Sequence, residues 1–249
     1  MDKPYCCPPG DLPGLVTDYK PKGTVFDLDG LEVYTNGSGP NCIIWCYDIY
    51  GKDGGHSKEL VDLVSSWGYT VYLPDFLKGA WPPTAPKDEK LMAWLKPYTP
   101  EMLRNDILNK VVPYAEKNGA KQFGMVGTCW GAWAIFTVGD SDKFKFGINT
   151  HPSVHLGKVH GQVEMDLAKA LVFPQVILNS DDEPDNIMPG GELVVELEKK
   201  FPGEIICKHY KNTKHGYFSR GPMDQEDTKK AVEDTLAISK EYMAKHFAK

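Results

Sequence analysis

An α/β fold with a mostly parallel central sheet and helices on both faces is what this sequence predicts, and three observations carry the prediction. Short apolar runs alternate with stretches of helical periodicity along nearly the whole chain, the pattern of repeated β-α-β units. The runs are continuous rather than alternating, as in Cys42 to Tyr47 (Cys-Ile-Ile-Trp-Cys-Tyr), which suits strands buried on both faces. No repeat, low-complexity linker or break in composition divides the 249 residues, so a single domain over 1–249 is expected.

Taken in order, the first forty residues are rich in proline and glycine, and 23–28 and 30–34 read as short strands of an edge hairpin. Cys42 to Tyr47 is the first buried strand. His56 to Trp67 has helical spacing at Leu60, Leu63, Val64 and Trp67 and stops before Gly68, and Tyr69 to Leu73 is the next strand. The proline-rich stretch Phe76 to Pro100 reads as an irregular lid or loop. Thr99 to Asn118 is a helix, with Thr99 as cap and Pro100 in the first helical position. Strands follow at Phe123 to Val126, Phe146 to Asn149, Pro174 to Leu178 and Ile205 to Tyr210. Helices are expected at Ala132 to Val138, Gly190 to Lys200 and Gln225 to Phe247.

Composition removes several function classes. The formal charge is −6, with only two arginines, Arg104 and Arg220, and no basic run, so nucleic acid is not an expected partner. No apolar stretch approaches the roughly 18 residues of a membrane span, and the first residues lack the apolar run of a secretory signal, so a cytoplasmic location is expected. Six scattered cysteines without a Cys-x-x-Cys pair suggest reduced thiols rather than a disulfide scaffold or a zinc site.

The sharpest motif is Gly127-Thr128-Cys129-Trp130-Gly131, between a strand and a helix. It has the form of a nucleophile elbow with cysteine in the place of serine. The tight turn strains the nucleophile's backbone, and small residues two positions either side let strand and helix approach. The same turn puts Cys129 at a helix N-terminus, where main-chain amides favour an anion.

A nucleophile needs a base, and His215, in Lys214-His215-Gly216-Tyr217-Phe218-Ser219-Arg220, falls just after the last strand. The acid that orients it is expected between the two, where Asn179-Ser180-Asp181-Asp182-Glu183-Pro184 follows a strand end.

Four segments resemble the dienelactone hydrolase family: Tyr47 to Gly51, the cysteine elbow, the Asn179 to Asp182 acid loop and the His215 to Arg220 loop. Cys6-Cys7-Pro8-Pro9-Gly10 is similar to the eukaryotic branch of that family. The resemblance implies an α/β-hydrolase fold and a Cys129-His215-Asp182 triad, with Asp182 preferred over Asp181 largely on this comparison. It implies an oxyanion hole from the main-chain amides of Ile49 and Trp130. It also implies that Asp48 holds the resting thiol and that Arg220 pairs with a substrate carboxylate. Two departures set the chain apart from the bacterial lactone hydrolases: Asp48 is one methylene shorter than their glutamate, and their second carboxylate-binding arginine has only Lys78 nearby. The expected reaction is hydrolysis of a lactone, ester or thioester through an acyl-enzyme, needing neither metal nor organic cofactor.

Other features receive weaker readings. His151, His155 and His160 lie close in sequence without metal-ligand spacing. Cys6-Cys7 is a candidate redox pair, and Trp81, Trp94 and Tyr98 are candidate pocket walls. The alternatives to an enzyme are a noncatalytic binding or signalling protein on the same fold, and a thiol sensor, for which Cys42, Cys46 and Cys207 all fall on expected buried strands. Oligomeric state is not specified by these features.

Overall fold

The structure, a computed structural model, describes residues 12–80 and 89–248, and for Glu89 the backbone alone. The Cys6-Cys7 pair and Trp81 therefore lie outside the described residues.

Strands β1 (Thr24–Leu28) and β2 (Leu31–Asn36) form the expected hairpin. Asp29 and Gly30 join them with φ of 51° and 77°, the positive pair that a two-residue primed turn requires. β2 runs antiparallel to β4 (Thr70–Pro74). Beyond it, β3 (Asn41–Cys46), β5 (Gln122–Thr128), β6 (Phe144–Thr150), β7 (Gln175–Asn179) and β8 (Ile206–His209) continue in parallel. The sheet has eight strands in the order β1-β2-β4-β3-β5-β6-β7-β8. β3, β5 and β7 are almost wholly buried, which is why their sequences read as continuous apolar runs.

The helices are α1 (Ser57–Ser65), α2 (Glu89–Leu95), α3 (Pro100–Arg104), α4 (Val112–Lys117), α5 (Trp130–Thr137), α6 (Glu164–Ala170), α7 (Glu192–Lys200), α8 (Tyr217–Arg220) and α9 (Glu226–Phe247). Every residue of α5 is buried, as a helix apolar on all sides must be. In α9, Tyr242 and Phe247 set their rings edge-on to Phe146 of β6.

Four details depart from the sequence reading. In α1 the buried face includes Asp62 rather than Leu63. The Asp62 carboxylate accepts hydrogen bonds from the Tyr34 hydroxyl (2.6 Å), the Asn36 side-chain amide (2.7 Å), the Lys22 main chain (2.8 Å) and the Tyr19 hydroxyl (2.9 Å), fastening the N-terminal segment to the helix. The Thr99–Asn118 helix starts as expected, with the Thr99 hydroxyl accepting from the Met102 amide at 3.2 Å. A π-helical stretch, Asn105–Val111, interrupts it ahead of Pro113, which has no N–H to donate and crowds the carbonyl four residues back. The expected lid contains α2, with Leu91 and Leu95 buried. Short α6 and α8, at one to two turns, are too brief to leave a periodic signal.

In the ladders Cys46 pairs with Gly127, Thr128 with Thr150, Thr150 with Leu178, and Asn179 with His209. The C-terminal strand ends are thus level. The loops leaving that edge carry Asp48, Cys129, His151, the acid cluster and His215, where ligands bind in open α/β sheets.

Candidate active site

Cys129 links β5 directly to α5 with φ 53° and ψ −114° and is fully buried. Its amide donates to the Thr150 carbonyl at 3.1 Å, and its own carbonyl accepts from Ser153 at 3.0 Å. A Cβ at Gly131 would collide with the carbonyl oxygen of Cys46, and one at Gly127 would lie 2.6 Å from the Gly131 oxygen. The elbow therefore closes only because both flanking positions lack side chains. Gly131 also seats the elbow against the end of β3, at the main chain of Cys46 and Tyr47. Trp130, whose amide is one of the two expected oxyanion donors, is the first residue of α5; Ile49, the other, is fully buried on the adjacent loop.

His215 is fully buried behind this turn, and its Nδ1 meets Glu183 Oε1 at 2.8 Å. The expectation that Asp182 orients the imidazole is corrected by this contact. The Asp182 carboxylate instead accepts the His215 main-chain N–H at 2.8 Å and the Ser180 hydroxyl at 2.9 Å. The same hydroxyl is 2.6 Å from Glu183 Oε1. Asp181 accepts from the Asn212 amide at 2.9 Å and contacts His209 at 2.7 Å. The three successive acids thus divide the work: Asp181 and Asp182 hold the backbone of the histidine loop, while buried Glu183, longer by a methylene, reaches the ring.

Burial disfavours a charged His215, yet the neighbouring Glu183 carboxylate and Cys129 sulfur outweigh it and raise its pKa well above the ordinary histidine value. Its buried Nε2 has no oxygen or nitrogen partner among the described residues, so it is the ring nitrogen left to serve the Cys129 sulfur and whatever binds there.

Asp48 and Arg220, expected to act on the thiol and on a substrate carboxylate, meet each other. Arg220 Nη1 forms an ion pair with Asp48 Oδ2, and both side chains are buried. Asp48 also accepts from the Ser219 hydroxyl at 2.7 Å and from the Tyr50 amide at 2.9 Å. The guanidinium lies 4.5 Å over the Tyr50 ring, and its Nε donates to the Leu12 carbonyl at 3.1 Å. Each thus compensates the other's buried charge. Leu12 also donates its own N–H to the His215 carbonyl at 3.1 Å, so one N-terminal residue is bonded through both its main-chain groups to the histidine loop.

Sequence reasoning missed Glu183 and His151. His151, just past the end of β6, is fully buried, with its ring centroid 4.9 Å from that of His215 in an edge-to-face arrangement. Both imidazoles interact with the Cys129 sulfur, and the Ser153 hydroxyl is 3.5 Å from it. The available signal was a histidine leaving a buried strand at the same sheet edge as the elbow. His160 instead stacks on Trp133, and His155 lies on a 3-10 turn, Val154–His160, so the three histidines do not converge. Trp94 and Tyr98 contact each other, with the Tyr98 hydroxyl 3.3 Å from the Leu77 carbonyl.

Residues 31–247 match the model of the dienelactone hydrolase family. The chain is 30% identical over 164 residues to endo-1,3;1,4-beta-D-glucanase of Zea mays, covering 64% of this chain and 49% of that protein. It therefore spans about half the length of that relative. It is 23% identical over 246 residues to hydrolase pyvD of Aspergillus violaceofuscus, covering 93% of this chain and 92% of that one. Among solved structures, Est1E from Butyrivibrio proteoclasticus superposes with a TM-score of 0.62 at 14% identity, over 91% of this chain and 99% of the other. The shared architecture is the α/β-hydrolase fold.

Proposed function

Since the chain belongs to the dienelactone hydrolase family, we propose that it hydrolyses a small-molecule ester, lactone or thioester through an acyl-enzyme on Cys129, with His215 as base and Glu183 as the acid orienting it. The observation that carries this reading is the buried line Glu183–His215 ending at a strained cysteine at the head of a helix. Asp182 and Asp181 support the same loop through its main chain.

In the first half-reaction the sulfur, whose proton rests on Nε2 of His215, bonds to the carbonyl carbon, while Glu183 stabilises the imidazolium through Nδ1. The oxyanion receives the amides of Trp130 and Ile49. The imidazolium then protonates the leaving oxygen or sulfur. In the second half-reaction His215 deprotonates a water that cleaves the thioester and frees the acid. Asp48 and Arg220 act as a buried electroneutral pair that fixes the 47–49 loop against the histidine loop.

The test is hydrolysis of short p-nitrophenyl esters and thioesters by wild type and Cys129→Ala. Wild type is expected to turn over with an acylation burst. Equal slow rates for the two proteins would reject the enzyme and favour a binding protein on the same fold.

A further inference from the structure

Five non-glycine residues among those described have positive φ. Asp29, Lys78 and Asn212 lie on exposed turns; only Cys129 and His151, at 53° and 38°, are buried. Such backbone strain costs about 1–3 kcal/mol and persists where the surroundings over-determine it. At His151 the surroundings do so. Its amide donates to the Leu178 carbonyl at 2.8 Å, and the Ser153 amide two residues on binds the Cys129 carbonyl at 3.0 Å. The turn after β6 is therefore wrapped around the elbow, with an imidazole placed against the sulfur.

The hydrogen bonds around the ring set its tautomer. Ser219 has one hydroxyl proton, and Asp48 Oδ2 receives it at 2.7 Å. Toward His151 Nε2, 3.5 Å away, the same oxygen can only accept, so the ring proton belongs on Nε2. Nδ1 is left as a buried lone pair with no oxygen or nitrogen partner among the described residues, and Cys129 is the ring's other hydrogen-bonding neighbour. The groups facing the ring are Cys129, His215 and Arg220, with Asp48 behind Ser219 and the Tyr217 ring 5.6 Å away.

Building on the reading of Cys129 as nucleophile, we infer that His151 is a second proton acceptor for its sulfur, acting through Nδ1 alongside His215. Where His215 does not hold the proton, it passes from the thiol to Nδ1 as the sulfur–carbon bond forms, and the carbonyl π electrons move to oxygen. As the tetrahedral adduct collapses, the imidazolium returns the proton to the leaving oxygen, so no outside reactant is required. Burial holds the His151 pKa below the ordinary histidine value, which keeps it neutral at neutral pH and makes it the weaker of the two bases.

Single-turnover release of p-nitrophenolate from p-nitrophenyl acetate tests this in wild type, His151→Asn, His215→Ala, the double variant and Cys129→Ala, across pH 5 to 8. Asparagine tolerates positive φ but cannot take a proton. His215→Ala is expected to stay above Cys129→Ala, with its rate falling only at the acid end, below the ordinary histidine range. His151→Asn alone is expected to slow release severalfold, and the double variant to fall to the Cys129→Ala rate. His215→Gln serves in the same comparison if His215→Ala does not fold. Two outcomes overturn the inference: His215→Ala or His215→Gln no faster than Cys129→Ala, or a double variant as fast as the His215 variant. Full activity in Cys129→Ala would instead overturn the nucleophile assignment on which the inference rests.

Discussion

Replacing Glu183 by glutamine is the perturbation that most directly probes the buried line behind Cys129. The carboxylate lies 2.8 Å from Nδ1 of an imidazole with no solvent exposure. At that distance, with an effective dielectric of about 20, the attraction between carboxylate and imidazolium is about 6 kcal/mol. Desolvation of both groups offsets part of it, and removing one partner of a buried pair costs about 3–5 kcal/mol in measured systems. If that loss falls on the state with His215 charged, kcat/KM should drop by about 10²- to 10⁴-fold. Asp182→Asn keeps an oxygen to accept the His215 amide and should lose no more than about tenfold, since it removes one charge-assisted bond to the main chain. The two variants are compared by p-nitrophenyl ester kinetics, with urea melts to confirm folding. Stability supplies a second readout. Because the folded His215 pKa is raised, its contribution is complete below the ordinary histidine value and lost as pH rises through the folded value. The stability difference between wild type and Glu183→Gln should therefore shrink toward alkaline pH. A large loss in Asp182→Asn beside a near-normal Glu183→Gln would refute the reasoning and restore Asp182 as the orienting acid.

Two further predictions follow from the same loops. Arg220→Met strands the buried Asp48 carboxylate and should lower unfolding stability in urea by about 3–5 kcal/mol, with Asp48→Asn in the same chain recovering most of it; an Arg220→Met protein as stable as wild type would mean that the pair does not form. Gly131→Ala pushes a methyl into the Cys46 carbonyl and should cost at least about 1–3 kcal/mol together with a fall in kcat, as the elbow moves off β3; unchanged kcat and stability would show that the turn has slack.

What was legible in the sequence had local physical causes. The Asp29-Gly30 turn, the buried parallel strands, the Thr99 cap and the glycine-flanked elbow each record a constraint that a few adjacent residues must satisfy together. The acid was harder, because Asp181, Asp182 and Glu183 occupy a turn with no periodicity, and the choice depends on where the His209 to His215 loop crosses it. The Asp48–Arg220 pair joins residues 172 apart, and nothing local at either one announces the other. Given sequence alone, each looked free to act on a thiol or a substrate. His151 was hidden for a similar reason: a positive φ and an orphaned ring nitrogen are consequences of tertiary packing.

The two hydrogen bonds between Leu12 and the histidine loop join residues far apart in the sequence, with Arg220 lying 208 positions after Leu12. A ribosome makes Leu12 first, and it must wait for about two hundred more residues before either of its partners exists. The histidine loop therefore takes its final shape only after the eight strands of the sheet have all become available. An incomplete chain ending before Arg220 would carry the cysteine elbow without the frame that aims a base at it, so an exposed, half-built nucleophile is not released as a working hydrolase. Trimming the first dozen residues from a finished chain should likewise loosen a loop that, read along the sequence, lies two hundred residues away.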